Sequence, residues 1–600
     1  MSARRFALLR PARTLAAQNR HPESDGGRNR EYALLLDGSY GGHQPRKRYR
    51  IQCGCRHVYA RVDQQFQLRH HRQYDAGSAQ DHLQPQTGFL TFQTLKQPTM
   101  NYKNIRSLLL VWIAAGVVSC HGDLDIMQDN KLSVSNMWKT SIQVENSTYG
   151  IYSAMRDNFV QDQVNVLTWG ELRVGEYMWR NSRTETIWLA DLRSVVQNTM
   201  SSTTNAVSWS KLYTAIDQAN AVLKYAPAVA MTDTKRSWAI GQASFARAYL
   251  YFWAVRLWGD VPLNLNPIES VAQPEAYPIR APKASVYAQI GTDIDRAVEN
   301  AGSLGTDKYL ATADAVNMLK AEYALWMYAV QKGGDDYLTM AEEALAAVGV
   351  KAGDNRLLTD YAKIFDGYGS NNKNSNEVVF ALYNSRDENK TGGFSTYFAF
   401  SDGAIDPNAQ ATVPTNTTVQ YLDYGDEYLE LLHKSQTENN DSRVRTNLGE
   451  GPYGRENRAV VTWPNKFIGN ADSSPMIRDC DILYYRYALA VMLDAELKYY
   501  RRDYAGALAS LNIIAKRAYG KENFHTSATQ GDVLKALCNE YLLEFPCEGV
   551  VWWALIRLDR IWEYNADLKA RKDAANILLW PISKSARDKN SNLAQTEGWY

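Results

Sequence analysis

Three tryptophans, Trp169, Trp179 and Trp188, surround the tetrapeptide Gly170-Glu171-Leu172-Arg173 in a stretch without regular period. Four more rings, Tyr397, Phe400, Tyr421 and Tyr424, fall between Asn371 and Pro464, where Gly, Asn, Asp, Thr and Pro dominate. Such rings offer a flat apolar face with a polar edge, which suits stacking on the C–H faces of sugars. Glu171 and Arg173 add groups that make charge-assisted, directional hydrogen bonds to hydroxyls. Trp179, Trp188, Tyr397 and Tyr421, with Glu171 and Arg173, are therefore the candidate ligand contacts. The competing reading of each is ordinary packing.

Catalytic patterns are missing from residues 120–600: there is no P-loop, HExxH, GxSxG elbow or clustered Cys/His set. His121, His433 and His525 are the histidines of that stretch, and they lie far apart in sequence. Adjacent carboxylates such as Glu342 and Glu343 diverge around a helix and read as solvated surface. A glycosidase needs two carboxylates about 5–10 Å apart around one cleft, which a sequence does not display. Binding is expected rather than catalysis, with no cofactor and no metal centre.

The formal charge of +1 averages two unlike pieces. Residues 1–99 hold 14 Arg, 2 Lys and 7 acidic residues, six of the nine His and none of the 16 Trp. The remainder carries 50 basic and 58 acidic residues. The first piece lacks the apolar period needed to offset its chain entropy. An Arg-rich segment fits a nucleic-acid tail, but residues downstream favour another reading. Met100 opens a charged segment with Lys103 and Arg106, followed by an apolar run from Leu108 to Val118 and then Ser119-Cys120. Eleven apolar residues are too few to cross a bilayer core of about 30 Å and fit a secretory signal. Residues 1–99 are thus expected to be a spurious, disordered extension before a start at Met100, and no nucleic-acid partner is expected. Residues 100–119 form the signal, and small residues before Cys120 resemble the lipobox of bacterial lipoproteins. Lipid on Cys120 would tether the domain 120–600 to a membrane. Cys480, Cys538 and Cys547 are too few for a disulfide framework and read as isolated buried thiols.

A polar tether from His121 to Leu132 precedes a helical pattern. Trp209, Leu212, Tyr213, Ile216, Asn220 and Leu223 mark one apolar face. Phe245, Ala248, Tyr249, Phe252 and Leu257 mark another, stopped by Gly259 and Pro262. Further helices are expected at Val286–Val298, Ala313–Tyr328, Tyr337–Val348, Ile482–Tyr500 and Tyr504–Ala518. Trp209, Trp253, Trp258 and Trp326 read as core. Small residues at Ala243, Ala246 and Ala248, at Ala315, Ala321 and Ala324, and at Ala505, Ala507 and Ala509 suit stacked antiparallel pairs, as in tetratricopeptide-like repeats. The fold class is mainly α, with irregular loops as the ligand face.

The run Gln242-Ala243-Ser244-Phe245-Ala246-Arg247-Ala248-Tyr249, then Arg256-Leu257-Trp258-Gly259-Asp260-Val261-Pro262-Leu263, resembles the hallmark of the SusD/RagB family of nutrient-binding outer-membrane lipoproteins. Tyr213 to Asn220, Val286-Tyr287 with Ile290 and Asp293, Glu544-Phe545, Glu548-Gly549, Trp552-Trp553 and the closing Asn592 to Tyr600 fit the same order. The resemblance spans Cys120 to Tyr600. Two places depart from it. Val550, Val551 and Ala554 stand where the family has His, Arg and Asp, and Gln242 replaces an acid. Joint loss of Arg and Asp leaves no orphaned charge, so it reads as a structural exchange.

The resemblance implies four tetratricopeptide-like helix pairs and an oligosaccharide ligand, with peptide as the alternative. It also implies a TonB-dependent, SusC-like transporter as partner, at the cell outer membrane. A helical scaffold without a small ligand, or a helical glycosidase, would be the competing functions. Because acyl chains supply the anchoring apolar area, Cys120→Ala should move the protein from the membrane to the soluble fraction on ultracentrifugation, or block its maturation. Firm membrane association of a signal-cleaved variant would contradict the lipid anchor.

Overall fold

The computed structural model describes residues 137–599, apart from 160–164, 180–186, 352–355, 366–374, 385–399, 402–414, 417–421, 454–458 and 468–479. The expected extension, signal, Cys120 and the tether to Leu132 lie outside the described residues.

Eight helices and one strand come first: α1 (Ser141–Phe159), α2 (Asn165–Gly170), β1 (Tyr177–Trp179), α3 (Ile187–Val196), α4 (Ser210–Tyr225), α5 (Asp233–Trp258), α6 (Lys283–Glu299), α7 (Ala313–Ala329) and α8 (Asp336–Val348). Next come β2 (Val378–Leu382), β3 (Phe400–Ser401), β4 (Thr415–Asn416), β5 (Leu422–Tyr424), α9 (Asp426–Asn439), α10 (Val444–Asn447), β6 (Gly449–Tyr453), β7 (Ala459–Trp463) and β8 (Ile482–Arg486). Then follow α11 (Tyr487–Tyr500), α12 (Tyr504–Tyr519), α13 (Gln530–Glu544) and α14 (Val551–Arg557). Helices pack in pairs, α1 with α4, α5 with α6, α7 with α8 and α11 with α12, and α4 also packs on α5. The described strands form two-stranded ribbons: β1–β5, β2–β8 and β6–β7 antiparallel, β3–β4 parallel.

Helix α5 is the axis of the core. Every residue from Gly241 to Trp258 is buried, as befits a helix packed on all sides. Thr232 caps its start by accepting from the Lys235 amide, and Gly259 ends it at φ +70°. Trp209, Trp253, Trp258 and Trp326 are core, as their helical spacing implied. Trp253 meets Trp553 at right angles with centroids 5.4 Å apart, a favoured aromatic geometry.

Three expectations need correction. Ile482–Arg486 is a buried strand on β2, and the helix begins only at Tyr487. Its Ile-Leu-Tyr-Tyr run is β-prone and wholly apolar, so periodicity could not separate strand from helix. Helix α9 lies within the region read as loop. It buries only Tyr428, Leu432 and Ser435, too weak a stripe to stand out. Ala505 and Ala509 are exposed, whereas Ala507 is buried.

Motif residues distant in sequence converge through buried polar contacts. Arg247 grips Asp293 with two bonds of 2.8 and 2.7 Å and donates to Asn220 at 2.9 Å. Arg256 donates to Glu322 at 2.7 Å beneath the Phe252 and Trp553 rings. Gln242 donates from its amide to the Ala311 carbonyl and accepts from the Ala311 N–H, both at 2.9 Å. A carboxylate could not make the first of these bonds. Val551 and Ala554 are buried among apolar neighbours, consistent with joint removal of a charged pair.

A larger buried ion cluster ties the second half together. Arg443 contacts Asp441 and Glu540 at 2.8 and 2.7 Å. Arg486 contacts Glu377, Glu544 and Glu548 at 2.6, 3.0 and 2.6 Å. Arg517 joins Glu377 at 3.0 Å and also Glu544, while Lys466 holds Glu548 at 2.9 Å. Burial alone would push the Glu540 carboxyl up, but Arg443 and then His525 override it and hold it down at about 2. The folded value lies below the unfolded one, so this stabilisation is present above about pH 4.5 and is lost as pH falls towards 2. Circular dichroism during acid titration should show stability dropping across that window. Glu540→Gln should flatten this limb and cost about 3 kcal/mol at neutral pH.

Candidate ligand-binding face

The ribbon β1–β5 joins the two aromatic regions. Tyr177 pairs with Tyr424, Met178 with Asp423 and Trp179 with Leu422. Alternation along β1 buries Tyr177, exposes Met178 and leaves Trp179 partly buried against the core. Tyr177 and Tyr424 stack beneath the ribbon with centroids 5.5 Å apart. The Tyr424 hydroxyl donates to the Asn447 carbonyl at 2.7 Å, and Asp423 accepts from the Thr462 amide at 3.0 Å. Met178, at 43 % exposure, is the large apolar side chain that the ribbon presents outward. Sequence reasoning missed it, although strand alternation around Tyr177 and Trp179 carried the signal.

Glu171 and Arg173 do not face a ligand. Each is 1 % exposed. Glu171 accepts from the Tyr177 hydroxyl at 2.8 Å and from the amides of Cys547 and Gly549 at 2.5 and 2.9 Å. Arg173 donates to Asn198 at 2.8 Å and to the carbonyls of Leu578 and Ile577 at 2.9 and 2.6 Å, with Trp552 stacked over its guanidinium. Both charges are consumed by the fold, which corrects their assignment as ligand contacts. Trp169 is also core, donating to the Ala206 carbonyl at 2.8 Å, and Tyr424 is buried. Trp188 lies in α3. Tyr397 and Tyr421 lie outside the described residues, though Tyr421 directly precedes Leu422 in sequence.

The support under the ribbon explains the Glu548-Gly549 motif. A Cβ on Gly170 would stand 2.6 Å from the Gly549 carbonyl oxygen, and one on Gly549, at φ +68°, equally close to that of Val166. Only glycine allows this approach. Beside it, burial raises the Glu171 carboxyl, and burial followed by the charge of Glu171 raises Glu176 well above the usual range. Two adjacent buried carboxyls disfavour each other's ionisation, and of the two it is Glu171 that accepts from backbone amides. This acid pair is sealed from solvent and cannot reach a glycosidic bond. A shallow groove of about 580 Å³ along α9, lined by Asp426, Glu430, His433 and Glu438 among others, contains no Trp, Tyr or Phe ring on which a sugar could stack. Among the described residues no group of three His, Cys, Asp or Glu is placed to hold a metal ion.

Residues 124–315 match a SusD-like family model described as "Starch-binding associating with outer membrane", and residues 361–599 match that of the SusD family. The chain belongs to the SusD/RagB family. Members of this family are non-catalytic, outer-membrane-associated glycan-binding proteins. SusD-like protein P38 of Formosa agariphila is 23 % identical over 80 % of this chain and 96 % of its own length. A SusD superfamily protein of Bacteroides fragilis superposes with a TM-score of 0.65 at 22 % identity, covering 77 % of this chain and all of its own. Surface glycan-binding protein A of Bacteroides thetaiotaomicron gives 0.60 at 18 % identity, covering 77 % and 99 %. These likenesses fix the helix-pair fold.

Glu171→Ala should lower stability by about 3 kcal/mol, because the Cys547 and Gly549 amides lose their acceptor in a dry site. Thermal unfolding followed by circular dichroism measures this. A variant as stable as the parent would mean that Glu171 is not a structural anchor.

Proposed function

We propose that this SusD/RagB member binds oligosaccharides at the face bounded by the β1–β5 ribbon. It would pass them to a SusC-like TonB-dependent transporter, with lipid on Cys120 holding it at the outer membrane. The observation that carries the reading is the pairing of Trp179 with Leu422, which brings the tryptophan-rich segment beside the strand that Tyr421 precedes. Met178 and Trp179 supply apolar surface on a fixed backbone, so little entropy is lost when a sugar ring settles there. Trp188, Tyr397 and Tyr421 are the further stacking candidates. A surface glycan-binding protein among the structural relatives supports the ligand class.

Stacking on one ring contributes about 1–2 kcal/mol, and a site uses two or three. Glycan-array screening identifies a ligand, and calorimetry then measures the variants. Alanine at Trp179, Trp188, Tyr397 or Tyr421 should weaken binding about tenfold at two or more of these positions. Arg173→Lys should leave the affinity of the folded protein unchanged, since Arg173 is sealed inside. Full affinity in all four aromatic variants would refute this site.

A further inference from the structure

Of the two carboxyls beneath the β1–β5 ribbon, one is fully engaged and one is bare. Glu171 accepts from the Tyr177 hydroxyl and from the Cys547 and Gly549 amides. Glu176 is 2 % exposed, and neither of its side-chain oxygens finds a hydrogen-bond donor among the described residues. A carboxylate stripped of water and left without donors is strongly unfavourable inside a protein. Its surroundings do little to offset that. Glu171 faces it from the turn after α2, Tyr177 from β1, Tyr424 from β5, Tyr428 from α9 and Cys547 from the turn before α14. Lys466, after β7, draws it the other way, but that ammonium is already bonded to Glu548 and to the Glu544 carbonyl, each at 2.9 Å. The three phenols and the thiol are neutral, their ionisation pushed up by burial. A neutral acid fits this place and an anion does not.

The backbone around Glu176 couples this side chain to the ribbon. Its carbonyl accepts from the Gly425 amide at 2.8 Å, directly beyond the Tyr177–Tyr424 pair. On its other side Gly175 sits at φ +113°, where a Cβ would strike the Tyr564 carbonyl oxygen. A Cβ on Gly425 would in turn stand 3.0 Å from the Gly175 carbonyl oxygen. Residue 176 is therefore held between two close backbone approaches, and its carboxyl stays dry while the ribbon is closed. Ionisation has two outlets. Either a second charge forms beside Glu171 in the dry site, or the Gly425 bond opens and water enters. Repulsion between buried charges at short range exceeds the net worth of one backbone hydrogen bond, so the second outlet is the lower in energy.

We propose that Glu176 is a proton-binding site that seats the β1–β5 ribbon: protonated, it lies as a neutral acid beside Glu171, and when the proton leaves to water the ribbon loosens and Trp179 loses its fixed position. The consequence for affinity rests on the glycan reading above, whereas the consequence for the ribbon does not. Burial, then the charge of Glu171, raises the folded-state value of Glu176 above the ordinary 4.5. The stability contributed by the protonated form is therefore complete below about pH 4.5 and is lost as pH rises through the folded value. This is the opposite sense to Glu540, so the two limbs separate.

The test follows hydrogen–deuterium exchange on peptides covering Tyr177–Trp179 and Leu422–Gly425, for wild type and Glu176→Gln, from about pH 5 to about pH 8, with urea unfolding in parallel. Comparing the two proteins at each pH cancels the intrinsic pH dependence of exchange. They should nearly match at the acid end. At the alkaline end the wild-type ribbon should exchange about tenfold faster, and its urea midpoint should fall below that of the variant. No difference, a difference that does not change with pH, or a pH-dependent midpoint without faster ribbon exchange each overturns the proposal. Glu176→Leu, also neutral, should share the flat profile and replaces the glutamine variant if that amide prevents folding. Infrared spectra of wild type should show the carbonyl band of a protonated carboxylic acid, fading as ribbon exchange rises. Its absence across the whole range overturns the proposal whatever the variants do. With the oligosaccharide that the array identifies, calorimetry should give wild-type binding about tenfold weaker at the alkaline end and an unchanged affinity for Glu176→Gln. Wild-type affinity that ignores pH while the ribbon loosens refutes the glycan site on the ribbon and leaves the proton site standing.

Discussion

Four cations, Arg443, Lys466, Arg486 and Arg517, meet five carboxylates, Glu377, Asp441, Glu540, Glu544 and Glu548, inside the protein, and this constraint organises its second half. Each buried charge is tolerable only when its partners arrive together. The partners come from the residue before β2, the segment after β7, the end of β8, α12, α13 and the turns before α10 and α14. None of these segments can shift alone without stranding a charge in a dry interior. Apolar packing would reward many arrangements of the same helices about equally. The ion cluster is selective among them, because it is satisfied in one arrangement.

The same cluster reaches the proposed ligand face by a short covalent step. Lys466 and Arg486 hold Glu548, whose neighbour Gly549 donates its amide to Glu171. Glu171 also accepts from the Tyr177 hydroxyl at the start of β1. Two residues later the strand presents Trp179. The ring proposed above as a sugar contact is thus fixed to the most constrained part of the core.

Much of the fold was legible because helical periodicity and the ordered motifs report on the same contacts. Asn220, Arg247 and Asp293 stood out as separate motif residues and meet in space. Glu544 and Glu548 stood out likewise and lie in the ion cluster. The candidate site was less legible. Glu171 and Arg173 sit among tryptophans in sequence, but adjacency there does not say which side of the backbone meets solvent. Arg173 spends its donors on carbonyls as far as 405 residues away, which no local pattern reveals. Strand β8 was hidden by its apolar run, and α9 by its mostly polar surface. Trp169 went to the core because Gly170 draws its helix against Gly549, a contact again set by distant chain.

The division between scaffold and site also limits what aromatic rings can decide. Stacking on a sugar face responds to ring shape more than to hydroxyl configuration, so Trp179 can supply affinity without choosing among hexoses. Choice requires donors and acceptors whose loss of water is repaid by one hydroxyl pattern alone. The two charged residues beside the ring are unavailable, being engaged by the Cys547 and Gly549 amides and by the Ile577 and Leu578 carbonyls. At the site proposed above, selectivity would therefore come from groups outside the core. The Asn-, Asp- and Thr-rich chain between Asn371 and Pro464 has the composition for that task. A rigid ribbon with exchangeable polar neighbours lets ligand preference change without disturbing a single buried charge.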